Sequence, residues 1–392
     1  MYLLEYRVPI SAALLVFSFA SVFVLTSQSG SSFPTYVLAV LTLLGCSRWS
    51  GLWLDWTFLC VVALVGYLAA STLWSDPFDA RDAFSQWGKA LLVACFVVAA
   101  AEGFRTDWFF RRLTLAIALF AGAASAVALV RFFVFPPEDG RLSGLGQLEC
   151  QVCAALIFGV ALLCTLYWVF EAPSLRWRVW AVLNALCLAA AVVLTDSRNA
   201  WVAVPFACVV YLVSRGSKSA ATFAVVVIAF AAVSLALVGG LLASPASEFL
   251  LPRGDSFRPA IWAEIVSRAL AGGPWLGNGV LTDDSVFIDC YLLAHPHNLY
   301  LAVLFQGGLV AVALFAAVLA LSIRTLLLNF GREEAKLALG ICALALPAYL
   351  LDGHELLTRI GWTWLLVWLP VAVSVALSGG GRLDDANRFG GG

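Results

Sequence analysis

Charge is what this sequence has least of. Only 12% of its 392 residues are Asp, Glu, Lys or Arg, where a soluble domain carries roughly a quarter. With 62% hydrophobic residues and a mean hydropathy of +0.94, the chain cannot wet the surface that a soluble fold of its size exposes. A net charge of −1 gives neither sign an excess, so nothing in it points to a nucleic-acid partner. Other signatures are missing too. No internal repeat and no low-complexity tract is present. The glycine run Gly272–Gly279 lacks the Gly-Lys-Ser/Thr ending of a phosphate loop and reads as a turn. Asp283, Asp284 and Asp289 lack the spacing of a Ca²⁺ loop. Cys150 and Cys153 form a Cys-x-x-Cys with no second pair to complete a metal site. No metal and no cofactor is expected.

What is present is an apolar run about every thirty residues, the rhythm of membrane spans and their connections. Spans are placed near 9–26, 33–47, 54–73, 89–101, 112–135, 148–170, 179–195, 200–213, 219–243, 297–323, 335–351 and 358–378. The second and eighth are shorter than the ~20 residues a crossing usually takes. The expected fold is an all-α polytopic membrane protein of about twelve transmembrane helices. Short loops on one side are basic: Arg105, Arg111 and Arg112; Arg176 and Arg178; Arg215 and Lys218; Arg332 and Lys336. By the positive-inside rule that side is cytoplasmic, along with both termini. The first span lacks a strongly basic start and reads as a retained helix.

Residues 1–243 thus form helices one to nine and 297–378 helices ten to twelve, while 379–392 make a cytoplasmic tail expected to be disordered. Between the two bundles, residues 244–296 form one long outer loop. Within it, Ser256–Ala271 reads as an amphipathic helix. Phe257, Ile261, Ile265 and Ala269 recur every four residues, and Trp262, Val266 and Leu270 widen the stripe. Pro259 suits its first turn, and Glu264 and Arg268 have the spacing of an i,i+4 pair.

Histidine is nearly absent, and all three histidines fall on the outer side. His295 and His297 flank Pro296 where the long loop meets the tenth span, with Asn298 beside them. A lone histidine there would merely cap a helix in the headgroup layer. Two of them, ending the one long loop, point to His297 as a proton acceptor, with His295 and Asn298 supporting it. Arg198 lies in a polar turn between two spans, and charge at membrane depth is functional by default. Arg258 precedes Pro259 at the start of the loop helix, where free N–H groups already attract anions. Lys89 begins the fourth span and Arg81 lies one loop earlier; either could help neutralise an anion. The last outer loop, Asp352–Arg359, adds His354 and Glu355 to the same face. One base and several cations suit activation of a sugar hydroxyl against a lipid-linked pyrophosphate.

These residues resemble a known family. Arg-Pro-Ala-Ile-Trp (258–262), Gly-Gly-Pro-Trp-Leu-Gly-Asn-Gly (272–279) and His-Pro-His-Asn-Leu-Tyr-Leu (295–301) look like the signature of the O-antigen ligase and polymerase superfamily. Ser-Arg-Asn-Ala-Trp (197–201) resembles its Ser-Arg-Gly-x-Trp element, with Asn199 where glycine is commoner. The resemblance implies an inverting, metal-independent C-type glycosyltransferase in the bacterial inner membrane, working at the periplasmic face. It implies O-antigen linked to undecaprenyl pyrophosphate as donor and a lipid A-core sugar as acceptor. His297 matches the proposed base, Arg198 and Arg258 match the pyrophosphate-holding arginines, and Lys89 matches more weakly. An O-antigen polymerase or a protein O-oligosaccharyltransferase would share the layout. A transporter of lipid-linked sugars is disfavoured by the lack of a repeat.

Overall fold

The computed structural model describes residues 28–44, 52–105, 107–217, 257–288 and 291–378, with scattered residues in 13–22 and 219–228. Among them, eight helices are long and apolar enough to cross a membrane. Helix α1 is Gln28–Leu44, α2 Trp56–Ala70, α3 Ala80–Phe104, α4 Asp107–Val134, α5 Gln151–Glu171, α6 Leu175–Leu194 and α7 Arg198–Gly216. Helix α8 is Arg258–Ala271, α9 Leu299–Leu328, α10 Glu333–Leu351 and α11 Leu369–Ser378. The eight spans are α2 to α7, α9 and α10; a 3-10 turn, Ser71–Trp74, extends α2. The apolar parts of the first and last segments, Phe33–Leu44 and Trp364–Ser378, are shorter. The expected spans at 9–26 and 219–243 and the tail at 379–392 lie largely or wholly outside the described residues.

The segments differ in instructive ways from the sequence reading. The eighth span is not truncated: α7 runs 19 residues with Pro205 inside it. The fourth begins nine residues earlier than its apolar run, because Asp79 accepts hydrogen bonds from the N–H groups of Arg81 and Asp82 and caps α3. The twelfth begins later, since 358–361 form a loop, helix starts at Trp362 and a π turn, Trp364–Trp368, leads into α11. The fold is all-α as expected, with one small hairpin among the described residues. Val286–Ile288 (β1) and Tyr291–Leu293 (β2) pair antiparallel, with Val286 opposite Leu293, as β-branched and aromatic runs favour.

One end of the bundle gathers the histidines and the other gathers the short basic loops. At that second end Arg215 binds Glu171 (2.7 Å) and Glu333, and Lys336 binds Glu333 (3.0 Å). Inside, small residues let polar groups pair. Gly122 leaves room for Asn184, whose amide donates to the Ala118 carbonyl and the Thr165 hydroxyl, both at 3.0 Å. Such pairs suit helix packing in a lipid environment.

The long-loop segment is built into this bundle. On α8, Ile261, Ile265 and Ala269 are buried as expected, in a cluster with Val286 and Phe305. Leu270 is exposed and does not extend the stripe. Arg268 donates to the carbonyls of Ser285 (2.8 Å) and Asp283 (2.5 Å) and lies over the Phe305 ring, instead of forming the Glu264 pair. The Gly272–Gly279 run is more than a turn, because it fills a break in α9 at Gly308 (φ 62°, ψ −164°). Leu309 N–H donates to Pro274 and Val310 N–H to Trp275, while Asn278 and Gly279 N–H donate to Phe305 and Gln306. Further along, Val280 and Leu281 N–H bind the hydroxyls of Ser71 and Ser75.

Gly308 combines a left-handed φ with a Cβ position that would strike the Trp275 carbonyl. Gly308→Ala should therefore lower stability by about 1–3 kcal/mol, read as a fall in thermal midpoint in detergent. Gly66→Ala, where a Cβ meets open space, should leave the midpoint equal or higher by about the helix preference of ~0.5–1 kcal/mol. Equal midpoints for both variants would contradict the role given to the break.

Candidate active site

The three histidines form one ring cluster. His295 stacks on His354 with centroids 4.4 Å apart and planes 10° apart, and its centroid is 4.0 Å from that of His297. Asp352 completes the group: its Oδ1 lies 3.2 Å from His297 Nδ1 and accepts the Gly353 N–H at 2.8 Å. The elements explain this meeting. Pro296 turns the chain into α9, where Asn298 caps the helix by accepting from the Leu301 N–H. Helix α10 ends at Leu351, which leaves Asp352 as its C-cap on the neighbouring strand of the loop. Gln306 on α9 donates to the His354 carbonyl (3.0 Å), and Trp262 on α8 donates to the Pro296 carbonyl (3.2 Å). His297 itself precedes the cap and is not in the helix.

Electrostatics fix the roles these groups can take. Burial pushes the Asp352 carboxyl up, but the hydrogen bonds from His297 and Gly353 outweigh it and hold the carboxyl below its ordinary range. An ionised carboxylate only accepts, so His297 Nδ1 is the donor, and in the neutral imidazole it is then Nε2 that carries the lone pair. His295 differs. Burial, with the neighbouring His297 and His354, pushes it down to about 4, and its Nδ1 is buried without a partner among the described residues.

Arg258 joins the cluster through charge. Burial lowers its pKa, Asp352 opposes that shift and Arg198 adds to it, so the carboxylate and both guanidiniums share one neighbourhood. Its Nε is buried without a hydrogen-bond partner among the described residues. Arg198 is the first residue of α7, one position beyond the turn expected for it; Ser197 caps that helix. Arg141 braces the preceding turn, donating to the carbonyls of Thr195 (3.0 Å) and Asp196 (3.4 Å). Asn199 donates to Ala348 of α10 (3.0 Å) and ties α7 to the helix that ends at Asp352.

Backbone strain gathers at the same places. Asp196 (φ 49°), Phe257 (φ 58°) and His297 (φ 50°) are the non-glycine residues with left-handed φ among those described. The first two lie just before the helices of Arg198 and Arg258, and the third is the histidine that contacts Asp352. Each such residue costs on the order of 1–3 kcal/mol and persists where surrounding structure overdetermines it.

Lys89 belongs to an adjoining space. It lies within α3, roughly 13 Å along the axis from its start, and its Nζ is 4.0 Å from Glu355. A cavity of about 490 Å³ is lined by Lys89, His354, Glu355, Arg359, Cys150 and Cys153, among others. His354 thus connects this cavity to the histidine cluster. Arg81 is exposed in the first turn of α3 and does not line the cavity. Asp284 is near Glu355, and burial together with that carboxylate raises it to about 6. Asp289 lies outside the described residues. His295, His297 and Asp352 could hold a metal ion, since one ligand atom from each falls within 4.8 Å of the others. Asp352 and Arg141 were not singled out in the sequence. The signal for Asp352 was its place beside Gly353 and His354 in the last outer loop, and Arg141 had none.

Two comparisons bear on this arrangement. A family model described as O-antigen ligase matches residues 183–316, which include Arg198, Arg258, His295 and His297. An O-antigen ligase of Pseudomonas aeruginosa is 30% identical over 325 residues, covering 82% of this chain and 77% of the relative.

His295 generates a pH prediction. Its folded pKa of about 4 lies below the ordinary 6.5, so the unfolded chain binds more protons between those values. Stability should then rise with pH across that window and be lost as pH falls through it. Thermal midpoints from pH 7 down to 4 should decline less steeply for His295→Gln than for the unaltered protein; identical slopes would show that His295 is not the proton-linked group.

Proposed function

Because the chain belongs to the O-antigen ligase family, we propose that it transfers O-antigen from undecaprenyl pyrophosphate to a sugar hydroxyl of lipid A-core at the periplasmic face of the bacterial inner membrane. The acceptor hydroxyl gives its proton to His297 Nε2 and attacks the anomeric carbon from the side opposite the pyrophosphate. The glycosidic bond forms as the bond to the pyrophosphate oxygen breaks, so the anomeric centre inverts. Asp352 holds the Nδ1 proton and stabilises the imidazolium that results. Arg198 and Arg258 neutralise the leaving pyrophosphate. Lys89 serves the donor or glycan from the adjoining cavity, His295 and Asn298 hold the His297 turn, and Arg81 adds positive charge at the rim.

The observation that carries this reading is the shared neighbourhood of an oriented imidazole and two guanidiniums, one with a buried donor left over. Guanidiniums bind phosphate oxygens through charge-assisted, bidentate hydrogen bonds, so a pyrophosphate suits this pair. The positive-inside distribution of Arg105, Arg111, Arg112, Arg176 and Arg178 supports placing the histidine end away from the cytoplasm.

Purified protein in liposomes, supplied with lipid-linked O-antigen and lipid A-core, provides the test. His297→Ala should lower kcat by about 10²–10⁴-fold, the usual contribution of a general base, while thermal midpoint and donor binding persist. Asp352→Asn should reduce kcat with little change in KM, and Arg258→Ala should weaken donor binding. Near-normal turnover by His297→Ala would remove the base from the mechanism. Longer polymer without attachment to core would replace the ligase reading with that of a polymerase.

A further inference from the structure

The cavity that adjoins the histidine cluster has two thiols in its wall, at the N-terminus of α5. Cys150 is the N-cap of that helix, and its sulfur accepts the Cys153 N–H at 3.5 Å. Cys153 lies one turn on, and both thiols are unpaired. A sulfur at a helix N-terminus meets free N–H groups and the positive end of the helix dipole, which favour thiolate. The two residues belong to one helical turn, so the backbone already holds the sulfurs as neighbours. Other described cysteines, such as Cys95, Cys164 and Cys342, are buried singly in the bundle.

We propose that Cys150 and Cys153 are a reversible dithiol–disulfide couple in the wall of this cavity, with Cys150 the sulfur that undergoes exchange and a protein or low-molecular-weight disulfide as its oxidant. The Cys150 thiolate attacks one sulfur of the donor disulfide, forming a mixed disulfide and releasing one donor thiolate. The Cys153 thiol then loses its proton to that thiolate and attacks Cys150, expelling the second donor sulfur as a thiolate that takes up the proton Cys150 gave to solvent. Two protein thiols are oxidised by two electrons, and one disulfide is reduced to two thiols. The site favours this order. Cys150 is exposed and Cys153 only partly so, and the Cys153 interaction lowers Cys150 to about 6 against burial. Closing the couple also replaces the thiolate that caps α5, next to His354, Lys89 and Glu355 in the same wall.

The test is thiol chemistry on the full-length protein in detergent, independent of any transfer activity. Protein is equilibrated with mixtures of reduced and oxidised glutathione, quenched in acid and alkylated, and its peptides are weighed. The expected result is joint protection of Cys150 and Cys153 with the loss of two hydrogens from their shared peptide, reversed by reductant. In Cys153→Ser, Cys150 should instead accumulate a glutathione adduct. Two alkylatable thiols at the most oxidising ratio would overturn the proposal, as would a stable adduct on Cys150 in the unaltered protein or preferential adduct formation at Cys153 in Cys150→Ser.

Discussion

A helix in an apolar medium must satisfy its backbone polar groups within the protein, and α9 breaks that pattern at Gly308. The break is viable because a second segment of chain, Pro274 to Gly279, supplies the missing partners on both sides of it. This mutual dependence turns an outer loop into part of the bundle. From that anchor the chain runs back to α8 and Arg258 and forward through the hairpin to His297. The clustered residues therefore take their positions from an exchange of backbone hydrogen bonds, reinforced by side-chain bonds such as Trp262 to the Pro296 carbonyl and Gln306 to the His354 carbonyl.

The site end also shows how a transmembrane scaffold positions groups that are far apart in sequence. Asp352 ends α10, Arg198 begins α7, and Asn199 ties those two helices together through the Ala348 carbonyl. Left-handed backbone at Asp196, Phe257 and His297 occurs at each place where an arginine or His297 enters the cluster. Strain of this kind is sustained only by a rigid frame. The frame here includes Arg141, whose guanidinium fixes the carbonyls before Arg198.

Much of the spanning architecture was legible because apolar runs are long and lipid leaves few alternatives. The interior stripe of α8 was legible for the same reason of periodicity, and Ile261, Ile265 and Ala269 are buried at that spacing. What escaped were features set by capping and by tertiary partners. Asp79 starts α3 well before its apolar run, so Lys89 sits inside a helix and not at its start. Glycines between 272 and 279 carry no periodic signal, and only the complementary break in α9 reveals their purpose. Asp352 was hidden because a carboxylate beside a glycine resembles any turn. Its meaning arises from His297, 55 residues earlier in the chain.

The length of α9 has a consequence for depth. As one straight helix its 30 residues would measure about 45 Å at 1.5 Å per residue, whereas a hydrocarbon core is about 30 Å thick. Measured from Leu328, the stretch back to Leu309 spans about 30 Å by the same rise, so the break falls where an upright helix would leave the hydrocarbon. The stretch from Leu299 to Gly308 is a separate piece about 15 Å long at the same rise, with His297 just before its start. A helix divided in this way has two pieces whose directions are set separately, the longer by the bundle and the shorter by the loop segment that fills the break.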